Sequence, residues 1–268
     1  MAAELTTATA ILPRVGYDIT SPANDRIKWL LRLRERKHRD AEGVFVIEGE
    51  RLYGRALEAG LEPKVTFVSM DVATTGDTVT VAPEALDKAS YRNRSQGIIG
   101  VFSQFGTGLE RLTLSPSPLL LIAENIEKPG NLGAMMRTAA AAGADGLIAI
   151  GGTVDPFNPN AVRSSTGALF ALPLAVASWE ETNSWLEEHG IEVFGASPDG
   201  AVPVWEADMT GPSAIVIGAE DEGLSKQATA AAEKLVVIPQ ADAGVDSLNA
   251  SVAAAVVLFE AVRQRMGS

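Results

Sequence analysis

The chain reads as α/β, a small α/β unit followed by a larger one built on a parallel sheet with helices on both faces. Three observations predict this. Short apolar runs rich in Leu, Ile and Val recur through residues 119–238, most of them separated by a stretch long enough for a helix. Those runs are apolar throughout rather than alternating, as in strands buried on both faces. The first hundred residues repeat the alternation with shorter elements, and a Gly-containing, Ser-Pro-Ser-Pro stretch separates the halves.

Taken in order, residues 1–15 are small and polar with no period and read as a disordered tail. Ser21-Pro22 opens an amphipathic helix with Ile27, Leu30, Leu31 and Arg34 at helical spacing. Gly43-Val-Phe-Val-Ile-Glu48-Gly49 reads as a strand ending in a turn, followed by a helix over 50–59 and a strand over 64–69. A short strand near 78–81 and a helix from Pro83 follow. A basic turn from Arg92 then runs into a buried strand through Phe102. Strands of the second half fall near 119–123, 146–150, 172–176, 191–196, 213–218 and 235–238, with a long alanine-rich helix over 248–266. The expected domains are 16–104 and 118–268, joined by a linker over 105–117.

Composition narrows the function. The chain of 268 residues has no cysteine, which excludes disulfides, thiolate metal sites and cysteine nucleophiles. Two histidines, His38 and His189, argue against a multi-histidine metal cage, so no metal is expected. Apolar stretches fall far short of a membrane span, and the first 15 residues lack the basic start and apolar core of a signal peptide. A soluble, cytoplasmic protein with no membrane partner is the expectation. Net charge is −12, which taken alone argues against a nucleic-acid partner. All of that excess lies in residues 109–268, with 8 basic and 20 acidic residues, whereas residues 1–108 carry 14 of each. Arg26, Lys28, Arg32, Arg34, Arg36, Lys37 and Arg39 face only Glu35 before Asp40, and a phosphate backbone responds to such a local patch. The plain alternative is a solvated helix face.

Three segments carry the chemistry. Asn125-Ile-Glu-Lys-Pro-Gly-Asn131-Leu-Gly-Ala-Met-Met-Arg137 follows an apolar strand and opens a helix, bringing an amide and a guanidinium to a strand-to-helix junction. Ile215-Val-Ile-Gly218-Ala-Glu220-Asp-Glu-Gly-Leu-Ser225 is a strand ending in glycine, an acidic turn and a helix start. Val236-Val-Ile238-Pro239 closes a strand, and Asp246-Ser247-Leu248-Asn249-Ala-Ser-Val-Ala begins the last helix. Asn131 and Ser247 are also good helix N-caps, whereas Asn249, read as just inside its helix, is a mediocre helix former with less structural reason to be there.

In this order the motifs N-x-G-x-x-x-R, G-x-E-x-x-G-L-S and I-P…S-L-N-x-S-V-A resemble those of the SpoU (TrmH-like) RNA ribose 2'-O-methyltransferases of the SPOUT superfamily, over residues 115–266. The resemblance implies a C-terminal parallel-sheet α/β domain with a trefoil knot, S-adenosylmethionine as cofactor, and a homodimer. It assigns Arg137 to the RNA and to activation of the 2'-hydroxyl, and places Asn131, Glu220, Ser247 and Asn249 in the active site. Ala196, Gly218, Ile238 and Leu248 would border the cofactor. Arg163-Ser-Ser165-Thr-Gly167 resembles the family's R-x-S-x-G stretch, so Arg163 and Ser165 are expected at RNA or at the dimer partner. The first domain resembles the ribosomal-protein-like substrate-binding domain often fused to this one, through its Glu48-Gly49 turn and Ser95-Gln96-Gly97. Arg26, Lys28, Arg32, Arg36, Arg39, Arg92 and Arg94 are its expected RNA contacts. The implied substrate is 23S ribosomal RNA, ahead of transfer RNA. A non-catalytic RNA-binding protein is the remaining alternative within the family. A dinucleotide-dependent oxidoreductase, suggested by Gly130-x-x-Gly133 after a strand, lacks the G-x-G-x-x-G spacing.

Overall fold

A computed structural model describes residues 16–69, 74, 76–92, 94–151, 155–241 and 247–267. The tail over 1–15 and residues 242–246 of the loop before the last helix lie outside them. The chain divides into two compact units, the second beginning at Gln104.

The first unit holds α1 (Asp25–Arg32), α2 (Arg36–Glu42), β1 (Val44–Glu48), α3 (Glu50–Glu58), β2 (Pro63–Val68), β3 (Thr78–Thr80), α4 (Pro83–Ala89) and β4 (Ile98–Ser103). Its sheet runs β1-β4-β2-β3, antiparallel on both sides of β4 and parallel between β2 and β3. Asn24 caps α1 by accepting the Arg26 amide at 2.9 Å, and Ile27, Leu30 and Leu33 enter a core with Val44, Phe67 and Leu86.

The basic segment is not one helix. Glu35 takes an extended conformation, and α2 starts afresh at Arg36. Arg39 reaches back from α2 and donates to the Leu33 and Arg34 carbonyls at 2.7 and 2.8 Å, closing the end of α1 where carbonyls lack helical partners. Arg34 does the same for α4, donating to the Ser90 carbonyl at 2.6 Å.

The second unit contains β5 (Leu119–Glu124), α5 (Pro129–Ala141), β6 (Gly146–Ile150), α6 (Pro159–Ser164), α7 (Ala168–Ala171), β7 (Leu174–Ala177), α8 (Trp179–Glu188), β8 (Glu192–Ala196), β9 (Val202–Pro203), β10 (Ser213–Ile217), α9 (Lys226–Ala231), β11 (Lys234–Val237) and α10 (Ala250–Met266). Seven strands pair in parallel in the order β7-β6-β5-β10-β8-β11-β9. Every residue of β5, β6 and β10 is buried, as the apolar runs that make up most of them require, and the burial extends to Ser213 and Glu124. The two-residue β9 is too short to leave a period in the sequence.

Residues 105–117 pack on this unit. Leu112 is buried, the Ser115 amide donates to Asp145 at 2.6 Å, and Thr107 accepts the Val176 amide at 2.7 Å. Arg265 fastens the end of α10 to the entries of β5 and β10, donating to the carbonyls of Ser117, Pro118, Met209 and Gly211. Its partial burial lowers the guanidinium pKa from its usual value, and the charge of Asp145 opposes that shift.

Candidate active site at the carboxyl edge of the parallel sheet

Strands β5 and β10 are neighbours, with Ala123 opposite Ile217, and being parallel they release the chain at the same edge. Helix α5 follows one and the turn over 219–225 follows the other. Residues 89 positions apart thereby meet, and Asn131 Nδ2 donates to Glu220 Oε1. Helix α10 packs on α5, and its N-cap residue Asn249 donates through Nδ2 to Asn131 Oδ1 at 3.3 Å. An ionised carboxylate only accepts, so the order Asn249 to Asn131 to Glu220 fixes the orientation of the Asn131 amide. The second carboxylate oxygen, Glu220 Oε2, is buried and has no hydrogen-bond partner among the described residues.

Two readings of caps change. Lys128 occupies the N-cap of α5 and Asn131 is the third helical residue, so its side chain is free for the cluster. Asn249, not Ser247, caps α10, accepting from the Ser251 amide at 3.0 Å and its hydroxyl at 2.7 Å. The cap thus accounts structurally for an asparagine that the sequence left without a reason, and its Nδ2 still reaches the site. Ser247 is exposed two residues before the cap.

Arg137 lies six residues beyond Asn131 on α5, about 9 Å along the axis and a third of a turn round. It is exposed and makes no hydrogen bond or ion pair among the described residues. Pairing with Glu124, the plain explanation for it, does not occur. Glu124 is fully buried and accepts instead from Trp179 Nε1 and, at 2.9 Å, from the Ser225 amide. From the sequence Glu124 was at most a pairing partner for Arg137, although an acid closing the run Leu-Leu-Leu-Ile-Ala was a visible signal for more.

The cofactor candidates end three adjacent strands. Ala196 pairs with Ile217 on one side and Val236 on the other, which brings Ala196, Gly218 and Ile238 to one edge. Gly218 is buried, whereas Ala196, Ile238 and Leu248 are half-buried. Open parallel sheets take ligands in the crevice outside such strand ends. Half-buried aliphatic side chains there suit a flat apolar base, and the unpartnered Glu220 oxygen suits a donor, so these residues fit a nucleoside-type cofactor. The glycine has another reason than ligand approach. A side chain at Gly218 would strike the Gly223 carbonyl and the Leu224 amide, because the turn folds back through paired Ala219–Gly223 backbone bonds of 3.0 Å.

Other expectations sort as follows. A side chain at Gly133 would strike Ser164 Oγ and the Ala161 carbonyl, so that glycine serves the packing of α5 on α6 rather than a dinucleotide turn. Arg163 is half-buried and donates to Asn160 at 2.9 Å. Ser165 is fully buried, with its hydroxyl donated to the Val162 carbonyl at 2.7 Å, and is removed from the RNA contacts. Arg39, 1% exposed and closing α1, is removed with it. Arg26, Lys28, Arg32, Arg36, Arg92 and Arg94 are exposed, with Lys28 and Arg36 in surface ion pairs with Asp25 and Asp40.

Comparison with known proteins identifies the family. The SpoU rRNA Methylase family matches residues 118–259, and the MRM3-like substrate binding domain matches residues 24–100. The chain belongs to the SpoU rRNA methylase family. A 23S rRNA (uridine(2479)-2'-O)-methyltransferase from Streptomyces viridochromogenes is 32% identical over 257 residues, 89% of each chain. Among solved structures, an RNA 2'-O ribose methyltransferase is 41% identical with a TM-score of 0.83, covering 92% of this chain and 99% of that one. An AdoMet-bound rRNA methyltransferase from Sinorhizobium meliloti gives 32% identity and a TM-score of 0.84 over 91% and 97%.

Proposed function

We propose that the chain is an S-adenosylmethionine-dependent methyltransferase acting on a ribose 2'-hydroxyl of 23S ribosomal RNA. The hydrogen-bonded run Asn249–Asn131–Glu220 between β5 and β10, on the helix that also presents Arg137, carries the reading. Ala196, Gly218, Ile238 and Leu248 would hold the cofactor, which would supply a methyl group on a positively charged sulfur; the ribose oxygen would take the methyl and give up its proton, and adenosylhomocysteine would leave. That hydroxyl is a poor nucleophile, so the protein must orient it and favour the negative charge growing on oxygen. Arg137, unpaired and permanently charged, does this directly or through the neighbouring phosphate. Glu220 Oε2 offers an acceptor at the site, while Asn131, Ser247 and Asn249 hold the groups in place.

Around that core, the first unit supplies most RNA affinity through Arg26, Lys28, Arg32, Arg36, Arg92 and Arg94, and Arg163 adds a contact in the second unit. The knot of the family belongs to the C-terminal unit. The enzyme is a homodimer, for which α10 offers a face: Val252, Val256, Phe259 and Met266 lie near helical repeats and are 37 to 82% exposed. Phe259→Glu is expected to turn a dimer into a 28 kDa monomer in sedimentation. A wild-type protein already monomeric at micromolar concentration would reject the dimer. Among the described residues no helix is long and apolar enough to cross a membrane, and the cytoplasm is the proposed compartment.

Nucleotide-resolution mapping of 2'-O-methylation in cells lacking the protein tests the whole reading. Loss of one mark in 23S RNA supports it, and loss confined to transfer RNA corrects the substrate. Tight NAD binding without adenosylhomocysteine binding would reject the enzyme class.

A further inference from the structure

The turn over 219–225 carries Glu220 and is held at two places. Paired backbone bonds between Ala219 and Gly223 close it on itself, and the Ser225 amide at its end donates to Glu124 Oε2 at 2.9 Å. The other oxygen of Glu124 accepts from the indole nitrogen of Trp179, the first residue of α8. Ser225 also caps α9 by accepting the Ala228 amide at 3.0 Å, so one residue ends the turn, starts a helix and binds Glu124.

Glu124 is an unusual place for a carboxylate. Its exposure is 0%, it terminates a fully buried strand, and among the described residues no cation pairs with it. Removing a carboxylate from water is costly, and well-packed apolar residues often replace buried ionic groups without loss of stability. Stability alone therefore gives little reason for an acid here. Its geometry gives a better one. Two donors approach from two directions, one at each oxygen, and a carboxylate accepts both. An isosteric amide must turn its NH2 toward either the indole N–H or the Ser225 N–H.

We propose that Glu124 is a positioning residue for methyl transfer: through the Ser225 amide it sets the turn that aims Glu220, and through Glu220 it sets the Asn131 amide. The route Glu124–Ser225–Glu220–Asn131 links the ends of β5 and β10, running from the buried Glu124 to the two site residues. This rests on the methyltransferase reading, because the effect on turnover has meaning only there.

The test is Glu124→Gln, with Trp179→Phe as the milder variant, which removes one donor and keeps the carboxylate and its Ser225 bond. Hydrogen exchange of the peptide spanning residues 219–225 reads the turn without any need for activity. It should speed up at least about tenfold in Glu124→Gln, with Trp179→Phe in the same direction and smaller, beyond any change in global unfolding. Unchanged local exchange would overturn the proposal. For turnover, kcat should fall roughly 10- to 100-fold while the adenosylmethionine KM moves less, as expected of misplaced groups. In a Glu220→Gln background the same Glu124 substitution should change kcat less than about twofold, because the route is already cut. Full multiplicative loss in both backgrounds would mean that Glu124 acts on stability alone. If Glu124→Gln does not fold, Trp179→Phe carries the same cycle and decides it. A wild-type protein that methylates no RNA would overturn the activity reading alone, since the exchange result stands apart from it.

Discussion

The basic segment over 26–39 and the polar cluster between β5 and β10 put the same kinds of side chain to opposite uses. In the first, seven cations crowd fourteen residues, yet Arg34 and Arg39 are turned to closing the ends of two helices. In the second, Asn131, Glu220 and Asn249 are scattered over 118 positions, and two neighbouring parallel strands with a packed helix bring them into hydrogen-bond contact. Crowding in sequence is a weak sign of a site, because helix ends consume cations. Convergence from distant segments, with a carboxylate oxygen and an arginine left without partners among the described residues, is the stronger sign.

Arg137→Ala tests the second region most severely. Under the proposed mechanism, loss of the Arg137 charge should lower methyl transfer about a thousandfold, with adenosylhomocysteine affinity within about twofold by calorimetry. Near-normal turnover would return Arg137 to the ordinary surface arginines and leave the cluster without its electrostatic element. Gly218→Val would not report on the cofactor pocket alone. Any side chain there collides with the turn itself, so that variant would disturb Glu220 as well.

Arg39→Met tests the first region. The substitution keeps much of the aliphatic stem but strands the Leu33 and Arg34 carbonyls at the end of α1, and should cost about 3 kcal/mol in urea unfolding. Arg36→Met, which loses only a half-exposed pair with Asp40, should stay within about 0.5 kcal/mol. Equal effects would erase the distinction between the two arginines.

Much of the architecture was legible because the signals are local. Unbroken apolar runs marked β5, β6 and β10, and their burial on both faces follows directly. Where the sequence misled, a longer-range contact decided. The break between α1 and α2 depends on an extended Glu35 and on a guanidinium folding back from the next helix, neither of which leaves a period. The order of caps at α10 turned on which of Ser247 and Asn249, two positions apart, stops being helical, a boundary that propensity does not resolve. The motifs named Asn131, Glu220 and Asn249 as members of one site. Their hydrogen-bond order could come only from strand order, since nothing in the sequence puts β10 between β5 and β8.

The smallest effect is also the finest test of the contrast. Once Arg34 and Arg39 are set aside, Arg26 and Arg32 remain exposed without an ion pair among the described residues, while Lys28 and Arg36 would first have to give up Asp25 and Asp40. Surface pairs of this kind are weak, so the difference should be graded rather than absolute. Each arginine that neutralises a phosphate should contribute about 0.7 to 0.9 to the slope of log affinity against log salt. Arg26→Ala and Arg32→Ala should each remove close to that amount, and Arg36→Ala slightly less in free energy at low salt, with adenosylmethionine affinity unchanged in all three. Titration of ribosomal RNA fragments across a series of salt concentrations measures it. A slope indifferent to Arg26 and Arg32 would make the whole segment a solvated helix face, and would leave RNA capture to Arg92, Arg94 and the catalytic unit.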